Sequence, residues 1–529
     1  MMIRPSLKPY PIVPFFKPLQ RSAMKYGDKV AVIQAVEGKI RELTFRTLNA
    51  LSDRLALGLI DFGIKKDDVV ALLEYNSPEY IISVYGITKA GAIVTPLNTM
   101  VKGDEAEYQL KDSEAKIIIV NKDLSNVVAS IRNRTRLEKV IVIGENVPSE
   151  TISFDILLKR ECTLRECKML HQLERIISPK EDLAILQYTA GTTGLPKGVM
   201  LTHYNLTVHQ IQATNVMRIT ESDVLLNHLP FFHIYGLNTC MATAIHAGAL
   251  QVVMPRFNLK EALKLIERYK VTTWLTVPVV LTMMVNNSDL VKKYDLSSLR
   301  FIVSGGSPLP TETIKKVLDT FHLVVQQGYG LTEASPGVAH NLPEKIKIDS
   351  VGIPYPDTEC KIVDTETGAF KHKPLQIGEL IVKGPQVMKG YWKNPSETAE
   401  TVKDGWLYTG DLAYMDEEGY IYLVDRKKEV IKYKGFNIIP AELESLLAQH
   451  PAVADCAVIG KPDTLAGEVP KAYVVLKPNA VATASDLLNF VNEKVASYKA
   501  IKEVKFIESI PRSASGKILR RILIEKESL

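Results

Sequence analysis

From residue 29 to residue 303, short β-branched runs alternate with stretches of helical period, and this alternation restricts the fold more than any other feature. Lys29 to Ile33, Val69 to Leu73, Lys116 to Val120, Val140 to Ile143, Leu183 to Tyr188, Leu250 to Met254, Thr272 to Val277 and Leu299 to Val303 read as strands. Leu43 to Phe62 carries apolar residues at helical spacing. Strands separated by helices of about 10–15 residues predict an α/β fold with doubly wound parallel sheets. From Ser350 to Leu423 turn residues become dense, which predicts a small antiparallel β unit. Beyond Asp425–Glu429, helical patterns at Ala441 to Ala448 and Ala484 to Val495 flank strands at Val453 to Ile459 and Lys471 to Leu476. That stretch makes a compact α+β domain of about 100 residues. The expected division is therefore 1–425 and 426–529.

The charge pattern separates the same two parts. Of the net +5, all lies from Arg426 onward, where 17 basic side chains meet 12 acidic ones. A mildly basic domain suits a polyanionic small molecule. With no block of like charge and no recognised module, nucleic acid is not expected as a partner. Cys162, Cys167, Cys240, Cys360 and Cys456 are an odd set without zinc-ligand spacing, expected to be reduced thiols. No stretch approaches the roughly 20 apolar residues of a membrane span, and no secretory leader is recognisable. A cytoplasmic location is the resulting expectation.

The strongest local signal is Tyr188 to Gly198, YTAGTTGLPKG, placed after a predicted strand and before a helix expected to open around Tyr204. Small residues let backbone N–H groups approach an anion, hydroxyls add donors, and Lys197 adds a point charge. The string is not a Walker loop. Lys197 follows Pro196 rather than Gly, and Gly516–Lys517 is followed by Ile518 with Pro511 in place of the first Gly.

Four further strings follow: YGLTE at Tyr329 to Glu333, YTGD at Tyr408 to Asp411, DRKKEVIKYKGFNI at Asp425 to Ile438, and PRSASGKILR at Pro511 to Arg520. Together and in this order the five resemble the signatures of the adenylate-forming superfamily. Its members include acyl-CoA synthetases, 4-coumarate:CoA ligases, beetle luciferases and peptide-synthetase adenylation domains. The resemblance covers essentially all 529 residues.

What the resemblance implies is specific. Thr189, Gly191, Thr192, Thr193, Gly194 and Lys197 would cradle the phosphates of ATP. Ser304 to Pro308, including Gly305, Gly306 and Ser307, would line the adenine site with Gln327, Gly328 and Tyr329. Thr332 would meet the α-phosphate, and Glu333 would hold Mg²⁺. Asp411 and Arg426 would bind the ribose. Lys517 would bridge the attacking carboxylate and the α-phosphate, where two anions must meet. His233 would stand beside the acid carboxylate. Lys428 would be a hinge whose rotation withdraws Lys517 and presents Lys432 and the CoA-tunnel residues Lys434, Gly435 and Phe436. Taken singly, these residues have blander readings: Glu333 a solvated carboxylate, Asp411 a turn cap, Arg426 a strand-end charge, Lys517 one charge in a basic tail, and His233 a satisfied core histidine.

The implied activity is that of an AMP-forming carboxylic acid:CoA ligase using ATP, Mg²⁺ and CoA. Ile234, Tyr235, Thr239, Gly330, Pro336 and Val338, with Gly305 and Gly306, would form the acyl pocket. Gly330 leaves out the indole that closes the pocket of acetyl-type enzymes, so a medium-to-long or aromatic acid is expected. A simpler account of Gly330 is a backbone needing positive φ. Relative to the family pattern, Ala190 replaces the commoner Ser, and the hinge is Lys rather than the Asp of many acetyl-type enzymes. Loading of a carrier protein is disfavoured because Phe232 to Tyr235 offers no Asp for an amino-acid ammonium. A luciferase-like oxygenase shares every motif. A non-catalytic nucleotide sensor would be expected to have lost Lys517 or Glu333, and both are present. Association into a homo-oligomer is left open.

Overall fold

The computed structural model describes all residues except 1, 37–38, 161, 190–194, 372, 435, 464, 514–516 and 528–529, and the side chains of 36, 39, 436 and 437. Two large sheets carry the first part of the chain. One runs Gly390–Tyr391, Lys197–Thr202, Leu183–Thr189, Ile93–Pro96, Val69–Leu73, Ile117–Asn121, Lys139–Ile143 and Ile152–Ser153. It is parallel from Leu183–Thr189 to Ile152–Ser153. The other has nine strands, with Leu250–Val253, Val224–Asn227, Thr273–Thr276, Phe301–Ser304 and Val325–Gly330 adjacent and parallel at its centre.

The parallel strands are mostly apolar and buried because helices cover both faces; Val69–Leu73 is buried at every position. The helix Pro78–Lys89 is also buried over its whole length. Ser77 caps its N-terminus by accepting from Tyr80 N at 3.0 Å. A wholly buried helix ending in lysine needs an internal counterion. Lys89 Nζ lies 2.7 Å from Asp53 Oδ1 and donates to Asn49 Oδ1 and Ser52 Oγ, each at 2.8 Å.

The antiparallel β unit expected from Ser350 onward is present as Glu359–Val363, Gly378–Lys383, Trp406–Met415, Val402–Lys403 and Ile421–Arg426. It also contains a short helix, Pro395–Thr401, which the strand-only reading omits. The signal was local: Asn394 caps it by accepting from Glu397 N, and Pro395 opens it. The last part of the chain forms its own sheet, Phe436–Ile438, Ile431–Tyr433, Gly467–Leu476, Val453–Asp463 and Glu503–Phe506, around a separate apolar core. The helices Pro440–Leu447 and Ala484–Asn492 pack on it, so the expected α+β unit is found.

One local reading changes. YTAGTTGLPKG does not lead directly into a helix. The strand Lys197–Thr202 intervenes and pairs antiparallel with Leu183–Thr189, so the two strands flanking the loop form a hairpin. The helix His203–Met217 follows, capped by Thr202. No helix among the described residues is long and apolar enough to cross a membrane.

Removing the Lys89 cation strands Asp53 against a buried helix end. Lys89→Met should cost about 2–4 kcal/mol, read as a lower urea midpoint with an unchanged m-value. A midpoint equal to the parent's would show that the buried pair contributes nothing net.

Candidate active site

The motif residues converge at the C-terminal ends of the parallel strands of the nine-stranded sheet and at the linker to the last domain. The hub is Asp411, buried on the strand Trp406–Met415. Its Oδ1 lies 3.0 Å from Arg426 Nε, and its Oδ2 accepts a short hydrogen bond from the Tyr329 hydroxyl. Gly410, with φ of 71°, makes the irregularity within this strand that sets the carboxylate, a conformation an L side chain rarely adopts. Glu379 holds the same irregularity. It accepts from Gly410 N at 3.1 Å and pairs with Lys427 Nζ at 2.9 Å, tying it to the linker. Sequence reasoning missed Glu379.

Lys517 lies in this constellation. Burial and the neighbouring Arg426 guanidinium push its ammonium down from its ordinary value, while Glu429 and Asp411 draw it back up. Its own loop is closed by Lys517 N donating to Ser513 Oγ at 3.1 Å and Ser513 N donating to the Lys517 carbonyl at 2.8 Å. Arg520 fixes the end of that loop by pairing with Glu429 and with Glu444 at 2.7 Å. Asp425, at the end of the first part of the chain, accepts from Ala441 N at 3.0 Å and so anchors the helix Pro440–Leu447. Lys428 is exposed in the turn after Ile421–Arg426, between the two units.

The hairpin carrying Lys432 and Lys434 has other neighbours. Lys432 N donates to Glu468 Oε2 at 2.7 Å and Lys434 N to the Ala466 carbonyl at 2.8 Å, both within the last domain. Gly435 and the Phe436 side chain lie outside the described residues, as do Ala190, Gly191, Thr192, Thr193 and Gly194. The hairpin stems around that loop are well defined. The Tyr188 hydroxyl donates to Asp112 Oδ2, and the Tyr108 hydroxyl donates to the Pro196 carbonyl at 3.1 Å.

Glu333 Oε1 accepts from the Tyr391 hydroxyl at 2.9 Å, and Thr332 beside it is buried. The Arg426 cation is drawn up by Asp411 first and also by Glu333, so both carboxylates face one neighbourhood. Gln327 is buried and donates to the Ile348 carbonyl at 2.6 Å. Gly306 and Ser307 stand at the more open end of the Phe301–Ser304 strand, while Gly305 is buried.

The segment expected to hold the acid is a π-helix, Tyr235–Ala242, a rare form that often marks functional sites. His233 precedes it. Its Nδ1 accepts from Tyr235 N at 3.3 Å, which leaves the ring proton on Nε2. Burial pulls the imidazole down to about 4, so it is neutral at pH 7 and offers a donor. Tyr235 lies alongside Gly305, with a Cβ built there 3.5 Å from the ring. Buried Tyr235 Oη and Thr239 Oγ1 have no hydrogen-bond partner among the described residues. Ile234 and Val338 sit in the central apolar core, and Pro336 is buried beside them.

Gly330 is exposed, and the backbone reason proposed from sequence does not hold. Its φ is not in the positive region; instead a Cβ would come within 2.3 Å of the Pro336 carbonyl oxygen. Close approach of main chain demands glycine here. Any side chain at 330 must first displace Pro336, so bulk added there would not report cleanly on pocket length.

Comparison with known proteins places this geometry. Residues 19–392 match the AMP-binding enzymes, and residues 442–517 match the AMP-binding enzyme C-terminal domain. The chain belongs to that family of AMP-binding enzymes. Within it, the chain falls in the acyl-CoA synthetase and 4-coumarate:CoA ligase branch of the adenylate-forming superfamily, as the motifs implied. It is 38% identical to a long-chain-fatty-acid–CoA ligase of Bacillus subtilis, over 96% of this chain and 94% of the other. It is also 38% identical to 4-coumarate–CoA ligase 1 of Petroselinum crispum, over 94% and 91%. An anthranilate CoA ligase solved with anthranoyl-AMP superposes with a TM-score of 0.89 at 30% identity, covering 98% of each chain.

The neutral His233 gives a direct check. Its C2 proton, assigned with a His233→Gln variant, should keep one chemical shift from pH 8 down to about 5.5 and move only towards pH 4. A midpoint near the ordinary value of about 6.5 would contradict the buried, Nε2-protonated ring.

Proposed function

We propose that this protein is an AMP-forming carboxylic acid:CoA ligase that first joins its acid to ATP as an acyl-adenylate and then transfers the acyl group to CoA. The observation that carries this reading is the placement of Lys517 beside the Asp411–Arg426–Tyr329 cluster. In the first step a carboxylate oxygen attacks the α-phosphorus, and the bond to pyrophosphate breaks. Lys517 bridges the two anions and offsets their repulsion as charge builds in the transition state. Asp411, with both oxygens directed by Arg426 and Tyr329, takes the ribose hydroxyls, and the Tyr329 face meets the adenine. Thr332 meets the α-phosphate, and the hairpin turn from Thr189 to Lys197 takes the others. His233 donates from Nε2 to the acid carboxylate. A lone carboxylate such as Glu333 suits Mg²⁺, which takes one or two carboxylates together with phosphate oxygens and neutralises their charge when bound.

In the second step the CoA sulfur attacks the acyl carbonyl, the acyl–oxygen bond breaks, and AMP leaves. Lys517 occupies the place the thiol must reach, so the last domain turns about Lys428. Lys432, Lys434, Gly435 and Phe436 then line the path of the pantetheine arm. The Lys428 turn between two units with separate cores supports this motion. The acid is medium-to-long or aromatic. The aromatic face of Tyr235 beside Gly305 supports an apolar or ring-bearing tail, and relatives named for fatty and for hydroxycinnamic acids stand at similar distance.

Half-reactions test this directly. Lys517→Ala should lower acid-dependent ATP–pyrophosphate exchange by about 10²–10³, while thioester formation from supplied acyl-AMP is largely retained. Equal loss in both steps would remove the assigned role. The same exchange assay, run from acetate through hexanoate and octanoate to cinnamate, tests the acid class. A kcat/KM for acetate above the other three would overturn it.

A further inference from the structure

Lys197, the cation of the phosphate hairpin, already has an anionic partner. Its ammonium pairs with Glu397, and both side chains are only partly exposed, at 23% and 30%. The same ammonium lies 5.6 Å from the centroid of the Tyr391 ring. The Tyr391 hydroxyl in turn donates to Glu333. One continuous chain thus runs from Glu397 through Lys197 and Tyr391 to the carboxylate assigned to the metal.

Glu397 is held there by construction. It stands in the first turn of Pro395–Thr401, where Asn394 Oδ1 accepts from its N–H at 3.1 Å. Thr398 Oγ1, one residue on, accepts from Tyr391 N at 2.9 Å. Gly390 and Tyr391 pair with Met200 and Val199, on the strand that Lys197 opens. The ammonium is therefore carried by one strand, and the carboxylate by the helix that follows the neighbouring strand, brought together across 200 residues of sequence.

We propose that Glu397 is an internal counterion that occupies Lys197 between turnovers, yields it to the phosphates of incoming ATP, and reclaims it as pyrophosphate leaves. This rests on the reading that the 188–202 hairpin takes the nucleotide phosphates. The physical basis is a competition. Lys197 cannot serve a carboxylate and a polyphosphate fully at once, so nucleotide affinity is reduced by whatever the existing pair is worth. This competition sets ATP and pyrophosphate affinity below what the hairpin alone would give, which favours product release.

The test is a double-mutant cycle on the full-length enzyme. Glu397→Gln keeps the shape and removes the charge. It should lower the Kd for ATP, measured by calorimetry, and the KM for ATP in pyrophosphate exchange by about three- to tenfold, the range expected for a half-buried ion pair. The KM for the acid should stay the same. In a Lys197→Met background, where there is nothing to compete for, Glu397→Gln should change either value by less than about twofold. An unchanged or weaker ATP affinity in Glu397→Gln would overturn the proposal, as would an equal gain with and without Lys197. Failure of the parent enzyme to bind ATP at all would instead overturn the nucleotide reading on which it rests.

Discussion

The Asp411 carboxylate is the interaction on which the rest of the site depends. It joins three strands: the one that carries it, its antiparallel partner Ile421–Arg426 through Arg426, and the YGLTE strand through Tyr329, 82 residues away in sequence. Glu379 locks the irregular stretch of strand that presents it. Lys517, from the last domain, lies within the field of the same pair. On the proposed reading, a carboxylate that organises both the nucleotide floor and the approach of Lys517 makes nucleotide binding and domain placement one electrostatic problem.

That problem is the repulsion between anions. Acid, triphosphate, Glu333, Asp411 and Glu397 are all negative, and Lys197, Arg426 and Lys517 must balance them at the right moments. Arg426 is committed to Asp411 and Lys197 to Glu397. Lys517 is the cation whose charge is least comfortable, lowered by burial and by Arg426. An ammonium destabilised in this way gains most when a second anion arrives, which fits a group asked to stabilise charge only during reaction. On the same proposed reading, His233, kept neutral by burial, avoids adding a cation that would bind the acid too firmly before attack.

Much of the fold was legible because parallel strands buried on both faces leave uninterrupted apolar runs. Val69–Leu73 has the same limits in the structure as in the sequence reading. The motifs told which residues would meet, and the structure gathers Tyr329, Glu333, Asp411, Arg426 and Lys517 in one neighbourhood. The strand Lys197–Thr202 was lost because a polar turn followed by a helix pattern hides a six-residue strand whose partner is antiparallel. The π-helix at Tyr235–Ala242 has no sequence period of its own. Glu379, Tyr391 and Glu397 could not be read at all. Each acts through a partner set by tertiary pairing: Tyr391 reaches Glu333 across 58 residues and Glu397 reaches Lys197 across 200. Gly330 does not have the positive φ offered as its simpler account, and the backbone crowding by Pro336 found there leaves no local trace in the sequence.

The central claim is that the acid oxygen attacks the α-phosphorus. It is tested most directly by supplying an accepted acid labelled with oxygen-18 at both carboxyl positions, together with ATP, Mg²⁺ and CoA, and weighing the products by mass spectrometry. Attack at the α-phosphorus leaves one labelled oxygen in AMP and the other in the thioester carbonyl. AMP without label, or label in inorganic phosphate with ADP as the nucleotide product, would contradict the account.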